Sequence, residues 1–215
     1  MLKRYSIYLI IFFCCSSCSI SNQIYLAREK LSDNRTWNFI VTVDNDSQAS
    51  VIKLQKTKNE LIREEYSVRK IKDKLYKSDE MIVNFSRNDV VIEMPTDKVL
   101  AHRIKQKNKE TTLCELTKLF DENYIVWANH HQITYHDLRQ DSITYIYRNS
   151  EKTPYKTEKW HLIEIGHEYF LSINSSSNSI SRIQIKNGSI FQTICSKSGS
   201  KENVITLEKK HSDRR

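Results

Sequence analysis

The stretch TWNFIVTVDNDSQASVIKL, residues 36–54, decides the reading of this chain. Trp37, Phe39, Val41 and Val43 alternate with Asn38, Ile40 and Thr42, the period of two expected of a β-strand with one strongly apolar face. Asp44-Asn45-Asp46-Ser47 supplies turn chemistry, and Ser50 to Leu54 is a second β-branched run. Outward from this hairpin the same signal recurs. Met81 to Phe85 and Val90 to Met94 flank Ser86-Arg87-Asn88-Asp89, and Tyr124 to Ala128 precedes Ile133 to Tyr135. Ile143, Tyr145 and Tyr147 alternate, a strand begins at Trp160, and the chain beyond Tyr169 reads as further short strands. Asn187-Gly188 is the clearest turn, because both residues tolerate the positive φ of a type I′ hairpin.

About twelve strands joined by polar turns predict an all-β fold, a mainly antiparallel barrel or sandwich. Asn59 to Ser78 fits both helical spacing and alternation and is read as strand. Lys109 to Phe120 is read as one short helix, with Leu113, Leu116 and Phe120 on a single face. No internal repeat is evident in the sequence. The expected organisation is a signal peptide over 1–17, a flexible tether over 18–35, an all-β domain over 36–209 and a charged tail over 210–215. The β domain is either single or divided into two subdomains near 105–122.

With 215 residues, 39% hydrophobic and 28% charged, the chain can bury an ordinary core and is neither disordered nor collagen-like. The net charge of +8 fits an anionic partner, but the cations are interleaved. Lys53 to Lys77 carries nine Lys/Arg among four Asp/Glu, the pattern of a solvated face, and nucleic acid is not expected as a partner.

Lys3 and Arg4, the apolar run Tyr5 to Cys15, and the small residues Ser16 and Ser17 form the three parts of an export signal. At eleven residues the apolar run is well short of the roughly 20 needed to span a bilayer. Cys15-Ser16-Ser17-Cys18 resembles the lipobox of bacterial lipoproteins, with Cys15 where Leu is usual. The resemblance implies acylation of Cys18 and its exposure as the new N-terminus. With Ser19 following, it also implies an outer-membrane address, the partner being membrane lipid held through Cys18. Separately, the Thr36 to Val43 strand with its Trp37 resembles the first strand of lipocalin-like barrels, although Arg35 stands where that family has Gly. That likeness implies a closed barrel with a ligand cavity.

Cys114 and Cys195 would remain after export, and a disulfide between them is chemically permitted in an oxidising compartment. Tyr124, Trp127, Tyr135, Tyr145 and Trp160 could floor a groove for an apolar or carbohydrate ligand, though strands favour aromatics in any case. His130, His131 and His136 are candidate metal ligands. On one strand, however, His130 and His136 share a face six residues apart, too far at ~3.3 Å per residue to chelate one ion. No Gly-rich phosphate loop or nucleophile motif is present. No catalytic residue and no cofactor is therefore expected. The reading is a lipid-anchored envelope protein with a non-catalytic binding or structural role. The alternative is a hydrolase or metal-dependent enzyme using the His130 to His136 region.

Overall fold

The computed structural model describes residues 23–57, 60–104, 111–126, 132–137, 142–147, 154–165, 168–173, 180–196 and 199–210. The first eight strands are β1 (Ile24–Lys30), β2 (Thr36–Asn45), β3 (Gln48–Lys56), β4 (Leu61–Lys72), β5 (Leu75–Lys77), β6 (Ile82–Phe85), β7 (Asp89–Glu93) and β8 (Lys98–Ile104). Each pairs antiparallel with its neighbour in sequence, and β1 pairs with β8 through Ile24↔Ile104 and Leu26↔His102, which closes a barrel. After the helix α1 (Leu113–Glu122) come β9 (Asn123–Val126), β10 (Gln132–Asp137), β11 (Ser142–Tyr147), β12 (Pro154–Ile165), β13 (Glu168–Ile173), β14 (Ile180–Lys186), β15 (Ser189–Ser196) and β16 (Gly199–Lys209). They form a second antiparallel circuit, closed by β9 against β16.

The second circuit repeats the plan of the first. Both are eight-stranded meanders whose first strand closes against the last, and in both the fourth strand is 12 residues long. In the second circuit this strand is shared end to end: residues 154–159 pair with β11, whereas Trp160 to Ile165 pair with β13. The sequence does not display the repeat, because a barrel strand requires only inward apolar alternation and a turn, not particular residues.

The interior of the first barrel is filled. Tyr25, Trp37, Phe39, Val41, Val51, Val68, Val83, Val90, Ile92 and Val99 point inward and are buried. Each such side chain contributes roughly 1.5–3 kcal/mol relative to leaving it in water. The opposite parity of β1 to β3 is buried as well. Ile24, Leu26, Ile40, Ile52 and Leu54 meet Ile163, Ile165, Phe170 and Ile180 of the second circuit, and the Ile180 N–H donates to Asn38 Oδ1 at 3.3 Å. Arg182, buried in the same region, pairs with Glu168.

Several sequence expectations hold, and some need correction. The segment read as strand from Asn59 to Ser78 forms β4 and β5 within its described residues, 60–78. Asn187 and Gly188 take φ of 51° and 71° in the β14–β15 turn. α1 begins behind a capping box in which Thr112 and Glu115 each bond the other's backbone N–H. Its buried residues are Leu116 and Phe120, with Leu119 packed beside them, while Leu113 is exposed. Leu113 occupies the first turn, at the edge of the face centred between Leu116 and Leu119.

Within the segment expected as a tether, 18–35, residues 18–22 lie outside the described residues, and Ile24–Lys30 form the barrel strand β1. Its alternation is hidden because Ile24 and Leu26 face the second circuit while Tyr25 and Ala27 face the barrel interior. Lys210, assigned to the tail, donates from Nζ to the Phe120 and Asp121 carbonyls and so caps α1. The described residues carry sixteen strands, against about twelve expected.

Candidate functional site

The first barrel has two unlike ends. At one end Lys53, next in inward parity after Val51, is 13% exposed and places its ammonium 2.6 Å from Glu64 Oε2. The Tyr66 hydroxyl donates to the same oxygen at 2.9 Å, and the ammonium stands 4.4 Å from the centre of the Trp37 ring. Trp37 Nε1 in turn donates to Asp33 at 3.2 Å. Across the rim, the Ser32 N–H and hydroxyl donate to Asp97 at 2.7 and 2.8 Å.

These contacts set the charge states. Burial would raise the Glu64 carboxyl, but the bonds from Lys53 and Tyr66 outweigh it and hold it below the usual range. Tyr66, buried and facing that carboxylate, is pushed up to about 12. Asp33 is lowered chiefly by the Arg35 backbone N–H, and Asp97 by the Thr96 and Ser32 hydroxyls.

The other end is open. A pocket of about 200 Å³ lies between the start of β1, the end of β2, the β4–β5 hairpin, the β6–β7 turn and β8. Tyr25, Tyr76 and Phe85 form its aromatic floor, with Phe85 edge-to-face against Tyr25 at 5.5 Å and against Tyr76 at 5.0 Å. The charged residues lining it are Lys70, Lys74, Arg87 and Arg103 against Asp73, with Lys70 and Asp73 no closer than 4.0 Å. Two nearby carboxylates are engaged elsewhere: Asp44 accepts from Thr42 and Ser50 at 3.2 and 2.8 Å, and Asp89 meets His102 at 2.7 Å. Asp46 lies close enough to help raise the Tyr76 hydroxyl, which burial raises most. Burial likewise raises Tyr25, against the pull of Arg103, and its hydroxyl donates to Gln23 at 2.7 Å. Both phenols are therefore neutral donors near pH 7. Aromatic walls under four cations suit an anionic group carried on an apolar or planar body.

Among the described residues, none of the candidate site residues named from sequence lines this pocket, although Val43, Phe85 and Arg87, read there only as strand and turn, do. Trp160 is fully buried, 5.6 Å from the Phe120 ring, and is a core residue because its inward parity meets the helix. Tyr145 donates to Glu158 at 3.0 Å and packs against the same core, while Tyr124 lies under Lys210. Tyr135 and His136 are placed on β10, opposite Thr144 and Ile143, but their side chains lie outside the described residues. Trp127, His130, His131 and Cys18 lie outside them altogether. Cys114 is a free, exposed thiol on α1, and Cys195 lies on β15 opposite Ser200, its side chain outside the described residues. The closed barrel is present, but its interior is packed and the described pocket sits at one end.

No family model matches the chain, and no curated protein matches it. Similar solved structures include a putative DNA polymerase III beta subunit from Eubacterium rectale ATCC 33656, at 10% identity and a TM-score of 0.18, covering 87% of this chain and 56% of that one. The DNA polymerase III subunit beta from Pseudomonas aeruginosa gives 7% identity and a TM-score of 0.17, covering 90% and 59%. The chain thus spans somewhat more than half the length of these proteins, and likeness at this level carries no argument about function.

Proposed function

We propose that this chain is a lipid-anchored protein of the cell envelope, held by acyl chains on Cys18, whose barrels bind rather than catalyse. The observation that carries the binding role is the contrast between a packed barrel interior and an open end lined by four cations over three aromatic rings. A packed interior suits an interaction module better than a carrier that swallows an apolar ligand. The anchor rests on the lipobox-like Cys15-Ser16-Ser17-Cys18 and the short apolar run before it. Several acyl chains at ~0.8 kcal/mol per buried methylene would hold a folded domain at a membrane, where a single chain would not.

Growth with a labelled fatty acid tests the anchor. Label is expected on the full chain and lost in Cys18→Ala, and label persisting in that variant would refute acylation at this thiol.

A further inference from the structure

The open end of the first barrel carries more than its pocket. β4 runs past the start of β3, so that Lys70 bonds the Ser47 carbonyl of the β2–β3 turn and the hairpin tip stands beyond it. The β4–β5 register shifts between Lys70 and Lys72, which leaves Ile71 as the unpaired residue of a bulge. Bulges re-aim side chains, and this one leaves a bulky apolar residue 59% exposed. Exposed single apolar residues are ordinary on a protein surface. Ile71 differs in its setting, flanked by Arg69, Lys70, Lys72 and Lys74, all exposed and outnumbering the one carboxylate among them, Asp73, with Arg87 and Arg103 across the pocket.

The chain direction says what this tip meets. Gln23, the first described residue, itself lines the pocket. It stands five positions after Cys18, a reach of about 18 Å at most. An anchor at Cys18 therefore holds this end of the barrel close to the bilayer. The end with Asp33, Glu64 and Asp97 lies about 20 Å further along the strands, beyond the ~8–10 Å over which salt lets charges act.

We propose that the open end is a membrane-docking surface for anionic phospholipid headgroups, with Lys70, Lys74 and Arg87 on the phosphates and Ile71 entering the interface. The proposal rests on the anchored reading for its geometry. The cations set the orientation, since each Lys or Arg near an anionic surface is worth about fivefold in binding, and Ile71 adds apolar contact.

The test is tryptophan quenching of full-length Ile71→Trp reconstituted into vesicles of acyl-brominated phosphatidylcholine, with and without phosphatidylglycerol. Quenching beyond that of the wild-type chain is expected only when phosphatidylglycerol is present. The docked-to-undocked ratio should fall about fivefold for each of Lys70→Ala, Lys74→Ala and Arg87→Ala added. All three side chains are exposed, so the variants are expected to fold. Quenching equal to wild type, or indifferent to phosphatidylglycerol, would overturn the proposal. So would a pocket that takes up inorganic phosphate while the introduced indole of Ile71→Trp stays unquenched, since that outcome assigns the cations to a soluble anion. Because every variant shares one N-terminal segment, a failure here is separate from a failure of fatty-acid labelling at Cys18.

Discussion

Lys53, Glu64, Tyr66, Trp37 and Asp33 form one connected set at one end of the first barrel, each ionised group facing a partner. At the other end Lys70, Lys74, Arg87 and Arg103 share a pocket with one carboxylate. The same strands run through both ends, so strand geometry does not explain the difference; the pairing of charge does. A paired end spends its polar groups on holding the fold, and an end where four cations share one carboxylate, met by Lys70 only at 4.0 Å, keeps positive charge available to a ligand.

The largest effect expected at the paired end is from Trp37→Ala. The variant removes a buried ring together with its contacts to Asp33 and Lys53, and should cost about 3–5 kcal/mol in denaturant unfolding. A loss under about 1 kcal/mol would mean that the ring is not part of the closure. Glu64→Gln comes next. It strands the Lys53 ammonium, 13% exposed, and should cost about 1–2 kcal/mol. The same change should bring the Tyr66 phenol down from about 12 toward its ordinary 10.0, read as phenolate absorbance during an alkaline titration.

A smaller effect is expected from acid. The ordinary values of Asp33, Glu64 and Asp97 are 3.8, 4.5 and 3.8, and all three are lowered in the fold. Their contribution is complete above those ordinary values and disappears as pH falls through the lowered ones, because the unfolded chain then takes up protons first. Unfolding midpoints should accordingly drop in acid below about pH 4.5, and less steeply in Glu64→Gln; identical slopes would remove Glu64 from the linkage. The smallest effect is expected at the open end, where Lys70→Ala, Lys74→Ala and Arg87→Ala together should shift stability by no more than ~0.5 kcal/mol. A larger loss would show that these cations hold the fold and would erase the contrast between the ends.

The paired end was partly visible in sequence, since Trp37 and its strand stood out, whereas the open end was not. Its aromatics come from β1 (Tyr25) and, about fifty residues later, from the neighbouring strands β5 and β6 (Tyr76 and Phe85), and the Lys53 to Lys77 charge run reads as ordinary solvated surface. The parity of Tyr66, Val68 and Tyr76 was the available clue. It pointed to an inward face without saying which ring would reach a mouth. The aromatics that the sequence did favour cluster between Tyr124 and Trp160. Of these, Trp160 is core and Tyr145 has its hydroxyl engaged by Glu158.

By itself the sequence determined that the chain is β-rich and antiparallel, that Asn187-Gly188 turns a hairpin, and that one short helix interrupts the strands. All of these depend on residues within about ten positions of one another. Only the tertiary structure decided that β1 is a barrel strand, that the strands close into two circuits of one plan, and that one end stays open. Closure depends on pairs such as Ile24↔Ile104, and a strand buried on both faces loses the alternation by which sequence reveals it.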